Sequence, residues 1–163
     1  MTDEEQIEST NEFQGCYHHN LDGKGRVSMP SAFRAALGRQ GVDTVVITNF
    51  ICDGARCLEG YSMPDWRKFE QRLRERSRFD PTVRKLENYY LARSVQCVID
   101  SSGRILLPQN LRDYAGMEKE VVFTSSLHGF RIWDRRIWDV IFQEAEAALL
   151  DDPALFAEVD ISR

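Results

Sequence analysis

No apolar run in the 163-residue chain approaches the roughly 20 residues that a membrane-crossing helix needs. The opening MTDEEQIEST lacks the basic start and apolar centre of a secretory signal, so a cytosolic protein is expected. Cysteine is sparse. Cys16, Cys52, Cys57 and Cys97 form no C-x-x-C pair, which argues against a zinc framework, and cytosolic thiols stay reduced, buried or inert. On a strand, Cys16 and His18 share a face but His19 points to the other, so no metal corner closes there. The chain has no P-loop, no nucleophile elbow and no H-x-x-x-H motif, and His128 stands alone in SLHGF, an expected turn. Catalysis, a cofactor and a metal site are therefore not expected.

Base is scarce at both ends. Residues 1–12 carry five acids and no base, and residues 143–163 carry six acids against one Arg. The stretch 13–142 holds 20 Lys and Arg against 15 Asp and Glu, so the formal net charge of −5 hides a basic centre. Such a centre is compatible with a nucleic-acid partner. Part of the excess lies in one run, Arg72 to Arg78, which a solvated helix face explains equally well. The composition, 42% hydrophobic and 29% charged, is that of one ordinary globular domain.

What the chain does have is a sentence written twice. DGKGRVSMP at 22–30 returns as DSSGRILLP at 100–108 in the frame D-x-x-G-R, three further residues, Pro. The likeness continues through SAFRAAL (31–37) and QNLRDYA (109–115), where Phe33 meets Leu111 and Arg34 meets Arg112. TVVIT (44–48) then matches EVVFT (120–124), and Tyr61 and Trp66 fall on Trp133 and Trp138 at an offset of 72. Two halves, about 13–78 and 93–150, thus descend from one unit. Two copies are too few for a solenoid, and each half alone has too little core to stand. One pseudo-twofold domain is expected, with acidic tails at 1–12 and 151–163 that should be mobile.

Each unit reads as strand, turn, short strand, helix, two paired strands and a longer helix. FQGCYHHNL (13–21) is a polar β segment, and DGKG is a turn in which Gly supplies positive φ and Asp bonds the backbone. Pro30 is expected at the first helical position, and Gly38 is expected to end that helix. TVVITNF and CLEGY pair as strands. Trp66, Phe69 and Leu73 make the buried stripe of a helix entered at Ser62-Met63-Pro64. Asp134 caps the last helix, which carries Ile137, Trp138, Ile141 and Phe142 as core or subunit-packing residues. Asp80-Pro81 opens a linking helix over 81–92.

Three roles compete for the repeated Asp and Arg. In the first, Asp22 and Asp100 lock their turns and pair with Arg26 and Arg104, which stabilises by about 0–1 kcal/mol in exposed pairs. In the second, a rigid hairpin tip carries Arg into the major groove, where its fork matches guanine O6 and N7. Lys24 would then add a phosphate contact in the first turn, where the second offers only Ser101 and Ser102. In the third, the two aspartates form a catalytic dyad, for which the chain supplies no completing groups.

Phe13-x-Gly15, NLDGKGRVSMPSAFR at 20–34, DSSGRILLPQNLRDYAGMEKEVV at 100–122, FRIW at 130–133 and Trp138 together resemble the MraZ family over about 13–150. The resemblance implies an α+β double-split β-barrel of the AbrB-like swapped-hairpin kind, with two ββαββα-type halves mimicking a homodimer. It implies a ring-shaped, octamer-like homo-oligomer in the cytoplasm, associated with the nucleoid. It further implies a transcriptional regulator that binds direct repeats of double-stranded DNA in the promoter of the division and cell-wall gene cluster. Carried over by motif, the DNA-contact positions are Asp22, Lys24, Arg26, Asp100 and Arg104. Arg34 and Arg112 also match family arginines, in helical positions that suit a phosphate or an intramolecular partner. Arg131 stands where the family usually has Glu, Ser125 replaces a usual Gly, and the acidic N-terminal extension is longer than usual. A ring-forming scaffold that binds proteins through the same loops is the alternative.

Overall fold

Each half of the duplication builds the same order of elements. The computed structural model describes residues 13–159; the acidic segment 1–12 and residues 160–163 lie outside the described residues. The first half runs β1 (Cys16–Asn20), β2 (Arg26–Ser28), α1 (Ser31–Arg39), β3 (Thr44–Cys52), β4 (Ala55–Ser62) and α2 (Met63–Arg74). Next comes α3 (Pro81–Leu86), continued by a π-helical turn at Glu87–Leu91. The second half follows as β5 (Val95–Val98), β6 (Arg104–Leu106), α4 (Gln109–Tyr114), β7 (Glu120–Ser125), β8 (Phe130–Asp134) and α5 (Arg135–Asp151). A short exposed helix, α6 (Ala154–Glu158), stands where the sequence suggested only an acidic tail.

The strands exchange partners between halves. An antiparallel six-stranded sheet has the order β1-β7-β8-β4-β3-β5, which reads the same from either end once equivalent strands are matched. β1 of the first half pairs with β7 of the second, and β5 of the second pairs with β3 of the first. β4 and β8 meet at the centre, and β2 and β6 form a separate two-stranded ribbon. This is the swapped-hairpin α+β architecture.

The core has no seam between halves. Phe13, Phe33, Phe123 and Phe130 pack with ring centroids 5.2–6.2 Å apart, and Phe33 and its counterpart Leu111 are both fully buried. Each such side chain contributes about 1.5–3 kcal/mol on burial, and neither half alone encloses them.

The helix entrances follow local chemistry. Ser62, Asp80 and Asp134 each accept a backbone N–H, from Asp65, Thr82 and Arg136 respectively. Pro30 sits one position earlier than expected: it precedes α1 as the N-cap, and Pro108 does the same for α4. Gly38 does not end α1. The helix runs through Arg39, and Gly41 makes the left-handed turn with φ +69°. On α2, Trp66 and Leu73 are buried and Phe69 is half-buried. On α5 only Ile141 is buried, and Phe142 is 53% exposed. Among the described residues no helix is long and apolar enough to cross a membrane.

Candidate nucleic-acid interface

Asp22 holds the first repeated turn from both ends. Its Oδ1 accepts the backbone N–H groups of Lys24 and Arg26, each at 2.9 Å, and its Oδ2 accepts Arg26 Nε–H at 2.7 Å. The Asp22 N–H donates to Arg26 O at 2.9 Å, and Gly25 closes the turn at φ +86°, which favours glycine. Asp100 repeats the pattern. Its Oδ1 accepts Ser102 and Arg104 N–H at 2.9 Å each, its Oδ2 accepts Arg104 Nε–H at 3.3 Å, and Gly103 has φ +79°.

These donors favour the ionised carboxylates. The Arg26 backbone N–H, with its guanidinium and the Lys24 N–H in support, holds the Asp22 carboxyl down at about 2. Asp100 is lowered in the same way, chiefly by the Arg104 N–H. Each aspartate therefore does the structural work expected of it, and in doing so aims an arginine.

The ribbon sets where both arginines point. Arg26 lies opposite Leu106, Val27 opposite Ile105, and Ser28 opposite Arg104. Val27 and Ile105 are buried, so by strand alternation Arg26, Ser28, Arg104 and Leu106 share the outward face. Arg26 and Arg104 are diagonal neighbours across this pair, a relation that separates side chains by about 7–8 Å. Both arginine side chains are about one-third exposed, at 35% and 34%. The aspartates engage Nε, so the terminal N–H groups of each guanidinium are not used by this contact. Lys24 is exposed beside the first turn, and Ser101 and Ser102 are exposed beside the second.

Arg34 and Arg112 clasp the turns across the two halves. Arg34 donates from Nε to Met29 O at 3.3 Å, and Arg112 donates from Nε to Leu107 O at 2.9 Å. A Cβ at Gly103 would stand 2.7 Å from Arg34, and one at Gly25 would stand 2.6 Å from Arg112. Backbone bonds run in parallel with this clasp: Met29 N–H to Gly103 O and Leu107 N–H to Gly25 O, each 2.9 Å. The glycines of the frame thus serve twice, as left-handed turn residues and as seats for the other half's arginine.

A second polar cluster escaped the sequence. Glu59 on β4 is buried; Arg131 on β8 donates to its Oε2, and the Tyr61 and Tyr90 hydroxyls donate to its Oε1. Burial, and next the Glu59 charge, push both phenols well above their usual range. The signal available was that Glu59 and Arg131 fall at the same offset of 72 as Tyr61 and Trp133. All four cysteines are free; burial pushes Cys97 up to about 11, while Cys16 is exposed.

The family model described as "MraZ protein, putative antitoxin-like" matches residues 13–89 and, a second time, residues 90–155. The chain belongs to the MraZ family. The two family matches meet inside the π-helical turn that joins the halves. A "Transcriptional regulator MraZ" of Thioalkalivibrio sulfidiphilus is 40% identical over 126 residues, covering 77% of this chain and 82% of that relative. The protein of the same name in Acetivibrio thermocellus is 38% identical over 127 residues, 78% of this chain and 84% of the relative. The one in Natranaerobius thermophilus is 34% identical over 149 residues, 91% and 99%.

Proposed function

We propose that the protein is a sequence-specific, DNA-binding transcriptional regulator that reads direct repeats in the promoter of the division and cell-wall gene cluster. The observation that carries this is the outward ribbon face, on which Asp22 and Asp100 hold Arg26 and Arg104 through Nε. A guanidinium fixed in this way presents its remaining donors without losing further side-chain freedom, which suits guanine O6 and N7 in the major groove. Lys24 adds a phosphate contact to the first turn, and Arg34 and Arg112, besides clasping the turns, stand ready for flanking phosphates. The names of the relatives support the regulatory role.

One ribbon touches few bases and binds weakly. A ring-shaped, octamer-like assembly in the cytoplasm, on the nucleoid, presents many ribbons to successive boxes. Simultaneous engagement raises avidity by about 10²–10⁴ without a new kind of contact. The test is a titration of the chain against DNA carrying one box, an array of boxes, and the array with altered spacing. Tight binding to the correctly spaced array, weak binding to one box and a steep fall with salt support the proposal. Equal affinity for all three and for scrambled DNA refutes it.

A further inference from the structure

A cleft of about 1280 Å³ has no residue of the ribbon in its lining, and the sequence motifs do not account for it. Phe50, Phe69 and Tyr89 supply apolar wall, while Lys68, Arg72 and Arg131 supply its basic side. Its own acids are already engaged. Glu59 accepts from Tyr90 and Arg131, and Asp65 accepts from the Ser62 hydroxyl at the start of α2. Lys68 reaches Asp65 only at 3.9 Å, and Arg72 makes no ion pair among the described residues. Residues 63–78, α2 and the segment after it, carry six bases against three acids.

The wall of the same cleft includes Phe13 and Gln14, the first described residues of the chain. The preceding twelve residues carry Asp3, Glu4, Glu5, Glu8 and Glu12 and no base, with Ile7 among them. We infer that the cleft is the docking site of this chain's own acidic segment, residues 1–12, held by Lys68 and Arg72, the two cleft bases not committed to a close ion pair among the described residues. The attachment point is on the cleft wall, so no linker has to be spanned, and the local concentration of carboxylates is on the order of millimolar or higher. Twelve extended residues reach at most about 40 Å, enough for the same carboxylates to find Arg26 and Arg104 as rival anions. Seating them in the cleft keeps the ribbon face clear. The inference does not depend on what the ribbon binds.

Zero-length carbodiimide coupling of the intact protein tests it, because a carboxylate joins a lysine amine only where the two touch. The chain's lysines are Lys24, Lys68, Lys85 and Lys119, one of them in the cleft. The expected product joins the 1–12 segment to Lys68. Its yield falls several-fold in Arg72→Glu, and it disappears at about 1 M salt, where screening acts within roughly 3 Å. The exposed position of Arg72 leaves the fold of that variant intact, as circular dichroism would verify. Coupling spread evenly over Lys24, Lys85 and Lys119, or none at Lys68, overturns the inference. A mixture of ¹⁴N- and ¹⁵N-labelled protein in which the Lys68 product joins two different chains also overturns it, since the occupant is then a second copy.

Discussion

Glu59 and Arg131 face each other across the central strand pair of β4 and β8, with Arg131 Nε donating to Glu59 Oε2 over 3.3 Å. The same two residues are equivalents in the duplication, 72 positions apart. They therefore lie at the pseudo-twofold axis, where a true homodimer would oppose two identical residues. Two glutamates there would repel in a site where Glu59 is only 5% exposed. A duplicated chain is free to differ between its copies, and Arg131 turns that repulsion into an ion pair.

Arg131→Glu should accordingly destabilise the fold by about 3–5 kcal/mol, the range for breaking a buried pair and leaving an uncompensated charge. Arg131→Gln also removes the compensating charge but keeps an N–H donor for Glu59, so it should cost less than the glutamate variant, toward the lower end of that range at about 3 kcal/mol. Urea midpoints at neutral pH compare the two. Equal midpoints for both variants and the parent would show that the pair carries no stability.

The turn glycines separate two effects within three residues. Gly25 has φ +86°, and a Cβ there meets the Arg112 guanidinium, whereas Gly23 has no neighbour within 4 Å of an added Cβ. Gly25→Ala should destabilise by about 1–3 kcal/mol through backbone strain and displacement of the clasp. Gly23→Ala should stay within about 0.5 kcal/mol of the parent. Thermal unfolding of the two variants checks the difference.

The Asp22 lock gives a signed pH dependence. Its carboxyl is lowered in the folded state to about 2, so its stabilising contribution is fully present above the unfolded value of about 3.9. That contribution is lost as pH falls through the folded value, and raising the pH above neutrality adds nothing. A carboxyl ¹³C titration should place Asp22 near 2 and Asp100 below the ordinary aspartate range. Asp22→Asn should abolish the acid dependence arising from this turn.

The duplication and the element order were legible because turn chemistry is local. Asp, Gly and Pro can be recognised wherever they shape a backbone, so both hairpins, the linking helix and the Asp134 cap stand close to where the residues put them. The exchange of β1 and β5 between halves was not legible from local pattern, because a strand's alternation does not name its partner. It entered only through the family resemblance. Gly38 misled because a glycine near a helix end is a permissive signal, and Gly41 was the one that took the left-handed conformation. Arg34 and Arg112 were readable as matching residues, but the carbonyls they hold lie on the preceding loop and the glycines they cover lie in the opposite half. The Glu59 cluster joins residues from β4, the π-helical turn and β8, a convergence that no single stretch of sequence displays.

The central claim is that the Asp-held arginines of the ribbon read DNA. It is tested most directly by titrating the parent, Arg26→Ala and Arg104→Ala against the repeat-bearing DNA upstream of the chain's own gene. A scrambled control is needed, at about 0.15 M salt, where exposed charges are screened beyond roughly 8 Å. Each lost bidentate contact should cost about 1–3 kcal/mol, multiplied over the engaged subunits, with oligomer mass by light scattering unchanged. Arg26→Ala should be the more damaging, because Lys24 reinforces that turn. Undiminished specific binding in both variants, or loss of binding only through collapse of the oligomer, would contradict the account.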